Sequence, residues 1–229
     1  MVHLGAALRP GVKVRTIESV AEGLLEERAL RSSMKNYNGF PSAVSVSIDD
    51  EVMHAIDSDR IIPDRSLVKI QFGARGTRGG ANMAWTFAVG DVPPEVASLR
   101  TATIESLRAG LAVLRENARV GDLGAAIQTT LEAAGLNAVR DFVGYAFGDR
   151  MMMDPQLKCY GKAGLGPRLR AGMLLNVHAI AAAGGWQVEI GQDKWTVRTQ
   201  DGRPAALATA LVRVTATGAE LLAPLVTAT

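Results

Sequence analysis

Apolar residues recur at intervals of three and four along three segments of the chain, a spacing that predicts amphipathic helices. The first segment covers residues 17–28, and the second covers residues 96–114, after a pair of prolines. The third begins near Asp122, which we expect to be its N-cap, and stops at Gly135, a residue suited to helix ends. The pattern therefore predicts three helices, separated by stretches of a different periodicity.

Those stretches show the alternation of apolar and polar residues that is typical of β-strands. Strands are predicted at residues 43–48, 67–72, 173–180 and 210–215. The glycine-rich segment GARGTRGG, residues 73–80, lies between strands and has no helix after it. It therefore predicts a hairpin turn and not a phosphate-binding loop.

The first and second halves of the chain repeat each other. The matched segments are 8–27 with 114–133, and 67–71 with 174–178, at offsets of 106 and 107 residues. Two matches at nearly one offset indicate an internal duplication, in which Gln71 and His178 occupy equivalent strand positions. Because successive side chains of a strand point to opposite faces, Lys69 and Gln71 are predicted to share one face, towards a cleft between the halves.

Composition restricts the kinds of partner and compartment. The 229 residues are 48% hydrophobic and 21% charged, with a formal net charge of +2 and scattered basic residues, so no nucleic-acid partner is expected. No apolar run approaches the ~20 residues of a membrane span. The single cysteine, Cys159, excludes an internal disulfide, and the start of the chain lacks the pattern of a secretory signal. We expect a cytoplasmic protein; its oligomeric state is not readable from the sequence.

Five sequence blocks in a fixed order carry a resemblance to a known family. They are NYNGFPSAVSVSIDDEVMHAI (36–56), LVKIQF with TFAVG (67–90), VRDFVGYAFGDR (139–150), GLGPRLRAGMLLNVHAI (164–180) and WTVRTQDG (195–202). Through them the chain resembles the methionine aminopeptidases, of the α/β "pita-bread" family. The resemblance implies one pita-bread domain over residues 1–229, with pseudo-two-fold halves of about 1–92 and 93–229. A curved central antiparallel sheet, flanked by helices, is expected.

The family's reaction uses two divalent ions held by two aspartates, a histidine and two glutamates. Carried over through the matched blocks, these ligands fall in chain order on Gln71, Asn82, Tyr145, His178 and Thr209. Hard divalent cations need anionic oxygen ligands, and none of these five side chains is a carboxylate. The resemblance therefore implies a site with no metal and no cofactor, and without the family's peptidase mechanism.

The resemblance also implies which residues contact a ligand. A substrate-contacting histidine of the family is retained as His54, whereas a second one is replaced by Met152. The apolar pocket of the family falls on Met34, Tyr37, Phe40, Ser45, Met151 and Trp195. Gln71, Asn82 and Thr209 are expected to contact the ligand beside this pocket. A small-molecule or peptide-like ligand is thus expected in the central cleft.

Two functions of different classes remain open. The first is metal-independent acid/base catalysis by His178, Tyr145 and His54, such as an isomerisation, elimination, cyclisation or hydrolysis, on a small and partly apolar substrate of a biosynthetic pathway. In it, the phenol and the neighbouring amides would stabilise a developing oxyanion. The alternative is an inactive pseudo-aminopeptidase that binds a peptide or protein without cutting it. The ionisable replacements, His178 and Tyr145, favour the enzyme.

Overall fold

The computed structural model describes residues 1–77 and 79–226, which form helices and antiparallel sheets. The helices are α1 (Val2–Ala6), α2 (Val14–Glu26), α3 (Pro94–Ala112) and α4 (Val120–Ala133), with a short 3-10 turn at Tyr37–Gly39. The strands of the first half are β1 (Arg31–Ser32), β2 (Val44–Ile48), β3 (Glu51–Met53), β4 (Ser66–Gly76) and β5 (Gly79–Val89). Those of the second half are β6 (Asn137–Ala138), β7 (Gly144–Phe147), β8 (Met153–Leu157), β9 (Leu174–Ala182), β10 (Val188–Ile190), β11 (Val197–Thr199), β12 (Ala205–Val214) and β13 (Ala219–Leu221).

The first sheet is built around the long hairpin of β4 and β5. β4 pairs with β5 along one edge and with β1 and β2 along the other. The predicted strand 67–72 is confirmed, but the ladder continues to the pair Gly76 and Gly79. The turn is therefore much shorter than the predicted 73–80, because all four glycines of that segment pair as strand residues. Residue 78 lies outside the described part of the chain.

The second sheet is centred on β9, which pairs with β12 along one edge and with β6 and β7 along the other. β13 extends the sheet beyond β12, and β8 extends it beyond β7. The strands predicted at 43–48, 173–180 and 210–215 are all present, although β12 begins at Ala205, ahead of the expected start. A small sheet of β10, β11 and β3 connects residues of the two halves.

Threonine side chains join the two large sheets where β5 lies beside β12. The Thr86 hydroxyl donates to the Leu207 carbonyl at 2.8 Å and accepts from the Leu207 amide at 2.8 Å. The Thr209 hydroxyl makes the same pair of bonds with Ala84, at 3.2 Å and 2.8 Å. These bonds continue one curved surface across both halves, as the expected pita-bread architecture requires.

The helices cover this surface from outside. All three predicted helices are present, and α3 packs on β9, on β12 and on α4. α4 begins at Val120, and Asp122 is its third residue, not its N-cap: the carboxylate accepts from the Arg119 amide at 2.7 Å. This hydrogen bond satisfies a backbone N–H at the start of the helix, as an N-cap side chain would. An acidic residue at the third position is therefore easily mistaken for the N-cap in the sequence. No described helix is long and apolar enough to cross a membrane.

Candidate functional site

A cavity of about 250 Å³ lies between the two halves. It is lined by twelve of the thirteen residues predicted for the site: Met34, Tyr37, Phe40, His54, Gln71, Asn82, Tyr145, Met151, Met152, His178, Trp195 and Thr209. The expectation for Ser45 is wrong, because β2 is buried on both faces and the Ser45 side chain does not reach the cavity. Its hydroxyl lies instead 3.5 Å from that of Ser47.

Four residues form one row across the floor of the cavity. Gln71 pairs with Ala84 between β4 and β5, and His178 pairs with Thr209 between β9 and β12. The hydrogen bonds between Thr209 and Ala84 join the two pairs into a continuous row. Gln71 and His178 therefore occupy its two ends, at matching positions in the two halves. The Thr209 hydroxyl both donates and accepts in holding the sheets together.

His178 is the polar side chain of the cavity with the most unused bonding capacity. The residue is partly buried, but both of its ring nitrogens are buried, and neither has a hydrogen-bond partner among the described residues. Burial lowers its pKa to about 4, with a smaller contribution from His54, so the imidazole is neutral at pH 7. One nitrogen of a neutral imidazole accepts a hydrogen bond and the other donates one. Both are available to a ligand.

Tyr145 and Asn176 lie beside this imidazole. The ring centroids of Tyr145 and His178 are 5.5 Å apart, in an edge-to-face arrangement. The Asn176 amide nitrogen donates to the Tyr145 hydroxyl at 3.2 Å and to the Asn82 carbonyl at 3.0 Å, while its buried amide oxygen has no partner within the described part of the chain. Burial raises the pKa of the Tyr145 phenol, which therefore keeps its proton at neutral pH. The phenol accepts from Asn176, and its own O–H remains able to donate.

Asn176 was not predicted from the sequence, although a signal for it exists. It lies two residues before His178 on β9, and side chains two apart on a strand point to the same face. Phe142, which also lines the cavity, carries no such signal because it lies in the irregular segment before β7. Alternation along a strand can place Asn176, but it cannot place a loop residue.

Asn82 is fixed from two sides. Its amide oxygen accepts from the Ser33 hydroxyl at 2.6 Å, and its amide nitrogen lies 3.1 Å from the Met151 sulfur. Gly73, the strand partner of Asn82, leaves room for the hydrogen bond between Ser33 and Asn82. A Cβ on Gly73 would lie 1.4 Å from the Asn82 amide oxygen. The absence of a side chain at position 73 therefore determines where the Asn82 amide lies.

His54 lies at the other side of the cavity, in a left-handed backbone conformation with φ of 61°. Its backbone amide donates to the Gln71 side-chain oxygen at 3.0 Å. Its ring contacts Phe40 and Phe142 edge-on, at centroid distances of 6.0 and 5.9 Å. Burial in this aromatic setting lowers the pKa of His54 to about 4. His54 is thus a neutral, polar contact within an otherwise apolar wall.

The apolar wall opposite the strands is aromatic and sulfur-containing. Phe40 contacts Trp195 edge-on, with centroids 5.2 Å apart. Met34 is buried, whereas Tyr37 and Met152 are exposed at the margin of the cavity. Large, adaptable apolar side chains of this kind suit a ligand with a substantial hydrophobic part.

Two other reactive side chains do not belong to the cavity. Lys69 follows the alternation of Gln71, but it is fully buried, and its ammonium donates to the Asp49 carbonyl at 2.6 Å. Burial lowers its pKa to about 7, a shift opposed by the carboxylates of Asp49 and Glu51. Cys159 is buried, and its thiol donates to the Val139 carbonyl at 3.0 Å. Neither side chain can take part in chemistry on a ligand in this cavity.

Comparison with known proteins identifies the family. The model of metallopeptidase family M24 matches residues 1–202. Methionine aminopeptidase 1 of Bacillus subtilis is 33% identical over 215 residues, which cover 94% of this chain and 87% of that protein. Methionine aminopeptidase of Clostridium acetobutylicum is 35% identical over 222 residues, with 96% and 88% covered.

Solved structures agree with the sequence comparison. A methionine aminopeptidase of Thermotoga maritima superposes with a TM-score of 0.93 at 29% identity, over 96% of this chain and 88% of that chain. A prolidase of Pyrococcus furiosus shares the fold alone, with a TM-score of 0.75 at 14% identity over 96% of this chain and 58% of that chain. The architecture of the sheets, the cavity between the halves and these relatives together show that the chain belongs to metallopeptidase family M24, as a methionine aminopeptidase-like protein with the pita-bread fold.

Proposed function

We propose that this protein is a metal-independent, non-peptidase member of its family, and that the cavity performs acid/base catalysis on a small, partly apolar substrate. His178 and Tyr145 carry the proton transfer, and His54 with Gln71, Asn82 and the aromatic wall holds the substrate. The observation that carries the proposal is the imidazole of His178, whose two buried ring nitrogens have no partner among the described residues, directly beside a protonated phenol.

The donor atoms in the cavity do not fit the two divalent ions that the family implies. Four of the five side chains at the ligand positions already bond to protein atoms: those of Gln71, Asn82, Tyr145 and Thr209. Of the five side chains, only that of His178 is free to coordinate a metal ion, and it would supply a single neutral ligand. Within residues 1–77 and 79–226, no group of three or more His, Cys, Asp or Glu side chains is placed to hold a metal ion. Two adjacent cations without anionic ligands would repel each other strongly, so no step is routed through a metal.

The chemistry that remains is proton transfer. A neutral His178 can take a proton from a substrate atom and return it to another, while the Tyr145 O–H donates to the oxygen on which negative charge develops. As the imidazole becomes charged, the developing anion beside it offsets the cost of its burial. The Asn176 amide oxygen, which has no partner in residues 1–77 and 79–226, can accept from a substrate N–H or O–H. Base, oxyanion donor and orienting acceptor therefore converge on one small volume.

The loss of metal-dependent peptidase activity has a direct test. Purified protein is dialysed, analysed for transition metals, and then incubated with Met-Ala-Ser tripeptide, with and without Mn²⁺ or Co²⁺. We expect no stoichiometric metal and no released methionine under any condition. Two bound equivalents of metal, or metal-dependent release of methionine, would refute the proposal.

The catalytic assignment needs a separate test. Wild type, His178→Gln and Tyr145→Phe are each incubated with a small-molecule extract of the source organism. Untargeted mass spectrometry then follows which metabolites are consumed, and how fast. We expect a metabolite that wild type consumes, and that both folded variants consume at least ~100-fold more slowly, in keeping with the usual size of general acid–base effects. Consumption by His178→Gln at the wild-type rate would contradict the role of the imidazole.

The second candidate function is that of a binding protein. The internal hydrogen bonds made by polar side chains of the cavity favour this function. Four of the five replaced positions have their side chains fixed by internal hydrogen bonds, as expected of a rigid recognition surface. In that case wild type retains a peptide whose apolar first residue contacts Phe40 and Trp195, and Trp195→Ala loses it. Retention of peptide together with no consumed metabolite would favour this candidate over the enzyme.

A further inference from the structure

A second cavity, of about 800 Å³, adjoins the first. The two share six lining residues: Tyr37, Asn82, Tyr145, Met151, Met152 and Asn176. They therefore form an inner compartment, defined by His178 and the aromatic wall, and an outer compartment beyond Tyr145 and Asn82. A ligand in the inner compartment can continue into the outer one past these shared residues.

The two compartments differ in charge. The inner compartment is lined by no Asp, Glu, Lys or Arg among the described residues, and burial keeps both of its histidines neutral at pH 7. The outer compartment is lined by Arg75, Arg150 and Asp149. Arg75 lies near the tip of the β4–β5 hairpin and Arg150 on the connection between β7 and β8, so the two cations approach from different halves of the chain.

Both guanidinium groups have bonding capacity to spare. Neither Arg75 nor Arg150 has a side-chain hydrogen bond or ion pair with another described residue, and both are exposed. The single carboxylate, Asp149, leaves the outer lining with a net positive charge over the described residues. An arginine offers five donors arranged to match the oxygen atoms of a carboxylate or phosphate.

We propose that the substrate is an amphipathic anion, whose neutral, apolar part occupies the inner compartment and whose carboxylate or phosphate group lies between Arg75 and Arg150. A charged group placed in the inner compartment would lose its hydration without gaining a counter-charge, which is unfavourable. In the outer compartment the same group keeps part of its hydration and gains two cations. This orientation fixes which end of the substrate meets His178. It rests on the proposed function, because it names the substrate class of the same site.

The test uses probes with one apolar chain and different end groups: hexanoate, hexyl phosphate and the neutral hexanamide. Their affinities are measured by ligand-detected NMR titration for wild type, Arg75→Gln and Arg150→Gln, at low and at high salt. Arg108→Gln is the matched control, since Arg108 is an exposed arginine on α3 that lines neither cavity. It removes the same charge from a different surface.

We expect each of Arg75→Gln and Arg150→Gln to weaken the binding of at least one anion by ~3- to 10-fold, the usual effect of one charge-assisted hydrogen bond, and to leave hexanamide unchanged. Whichever of hexanoate and hexyl phosphate loses more affinity identifies the end group. Equal binding of all three probes, equal effects of Arg108→Gln, or no saturable binding of either anion would overturn this inference. Metal-dependent release of methionine would instead overturn the proposed function, so the two failures are distinguishable.

Discussion

The side-chain oxygen of Gln71 accepts a hydrogen bond from the backbone amide of His54, at 3.0 Å, although the two residues lie on different elements. His54 has a φ of 61°, a conformation that costs a residue with a Cβ about 1 kcal/mol. The bond from Gln71 holds the backbone in this conformation and so directs the imidazole towards Phe40 and Phe142. A position that the family resemblance assigns to a metal ligand here orients a histidine.

Replacement of Gln71 by methionine keeps the side-chain volume and removes the acceptor. We expect the free energy of unfolding to fall by ~1 to 2 kcal/mol, because the His54 amide becomes a half-buried donor without a partner. Urea denaturation measures this loss, and the imidazole proton shifts of His54 in NMR spectra report its reorientation. The control is Gln192→Met, the same change at an exposed site. Equal stability of the two variants would show that the bond does not position His54.

The burial of His178 predicts how stability depends on pH. A histidine with a folded pKa of about 4 and an unfolded value of 6.5 binds fewer protons in the folded state. Its stabilising contribution is complete above pH 6.5 and is lost as the pH falls from 6.5 towards 4. Between pH 7 and pH 5 the loss is about 2 kcal/mol.

The measurement compares urea denaturation of wild type and His178→Gln at pH 7 and pH 5. Since glutamine does not titrate, the variant should lose about 2 kcal/mol less than wild type over this interval. Carboxylates contribute equally to both proteins and cancel in the comparison. Parallel losses in wild type and variant would mean that His178 is hydrated or already charged in the folded protein.

The burial of Lys69 leads to a prediction for alkaline pH, whereas that for His178 concerns acidic pH. Its folded pKa is about 7, against a reference value of 10.5, so the folded state disfavours the charged ammonium. Its destabilising effect is therefore greatest at and below pH 7 and diminishes as the pH rises towards 10.5. The carbonyls that it contacts, those of Asp49 and Leu67, also accept from the backbone amides of Ala205 and Asp49.

Lys69→Met should accordingly leave no buried acceptor unpaired and should equal or exceed wild type in stability at pH 7. The advantage of the variant should shrink by about 2 kcal/mol between pH 7 and pH 9, as wild-type Lys69 becomes neutral. Thermal and urea denaturation at the two pH values measure the difference between the proteins. A variant that is less stable than wild type at pH 7, by more than the error, would show that the charged ammonium stabilises the fold.

Local periodicity was sufficient for the strands that carry the site. It placed Gln71 and His178 on strands, which the internal repeat then matched, and it would also have found Asn176, two residues before His178. The same alternation was misleading for Lys69, because burial of that side chain depends on how the segment containing Asp49 covers β4. Ser45 was misassigned for a related reason: both faces of β2 are covered by other elements.

The cavity walls that come from irregular segments could not be predicted from periodicity at all. Phe142 and Arg150 reach the two compartments from the segment before β7 and from the connection between β7 and β8, whereas Arg75 lies on β4, four residues after Gln71. The positions of Phe142 and Arg150 depend on contacts between distant parts of the chain, for which a pattern of apolar and polar residues carries no signal. The same limit explains why the sequence predicted the inner compartment and gave no indication of the outer one.

Gly73 offers a test of how tightly the cavity is built. A Cβ at this position would lie 1.4 Å from the Asn82 amide oxygen and 2.1 Å from the Ser33 hydroxyl, which bond to each other at 2.6 Å. Gly73→Ala must displace one or both side chains, so we expect a loss of ~1 to 3 kcal/mol in the free energy of unfolding and weaker ligand binding in both compartments.

Gly23→Ala, in α2, is the matched control, because no atom lies within 4 Å of its added Cβ. Alanine in a helix interior should stabilise that variant by ~0.5 to 1 kcal/mol. Urea denaturation of both variants, with hexanamide titration of Gly73→Ala, separates a general glycine effect from a local one. If Gly73→Ala were as stable as wild type and bound hexanamide equally well, Asn82 would have room to move. The Ser33–Asn82 contact would then not define the wall between the compartments.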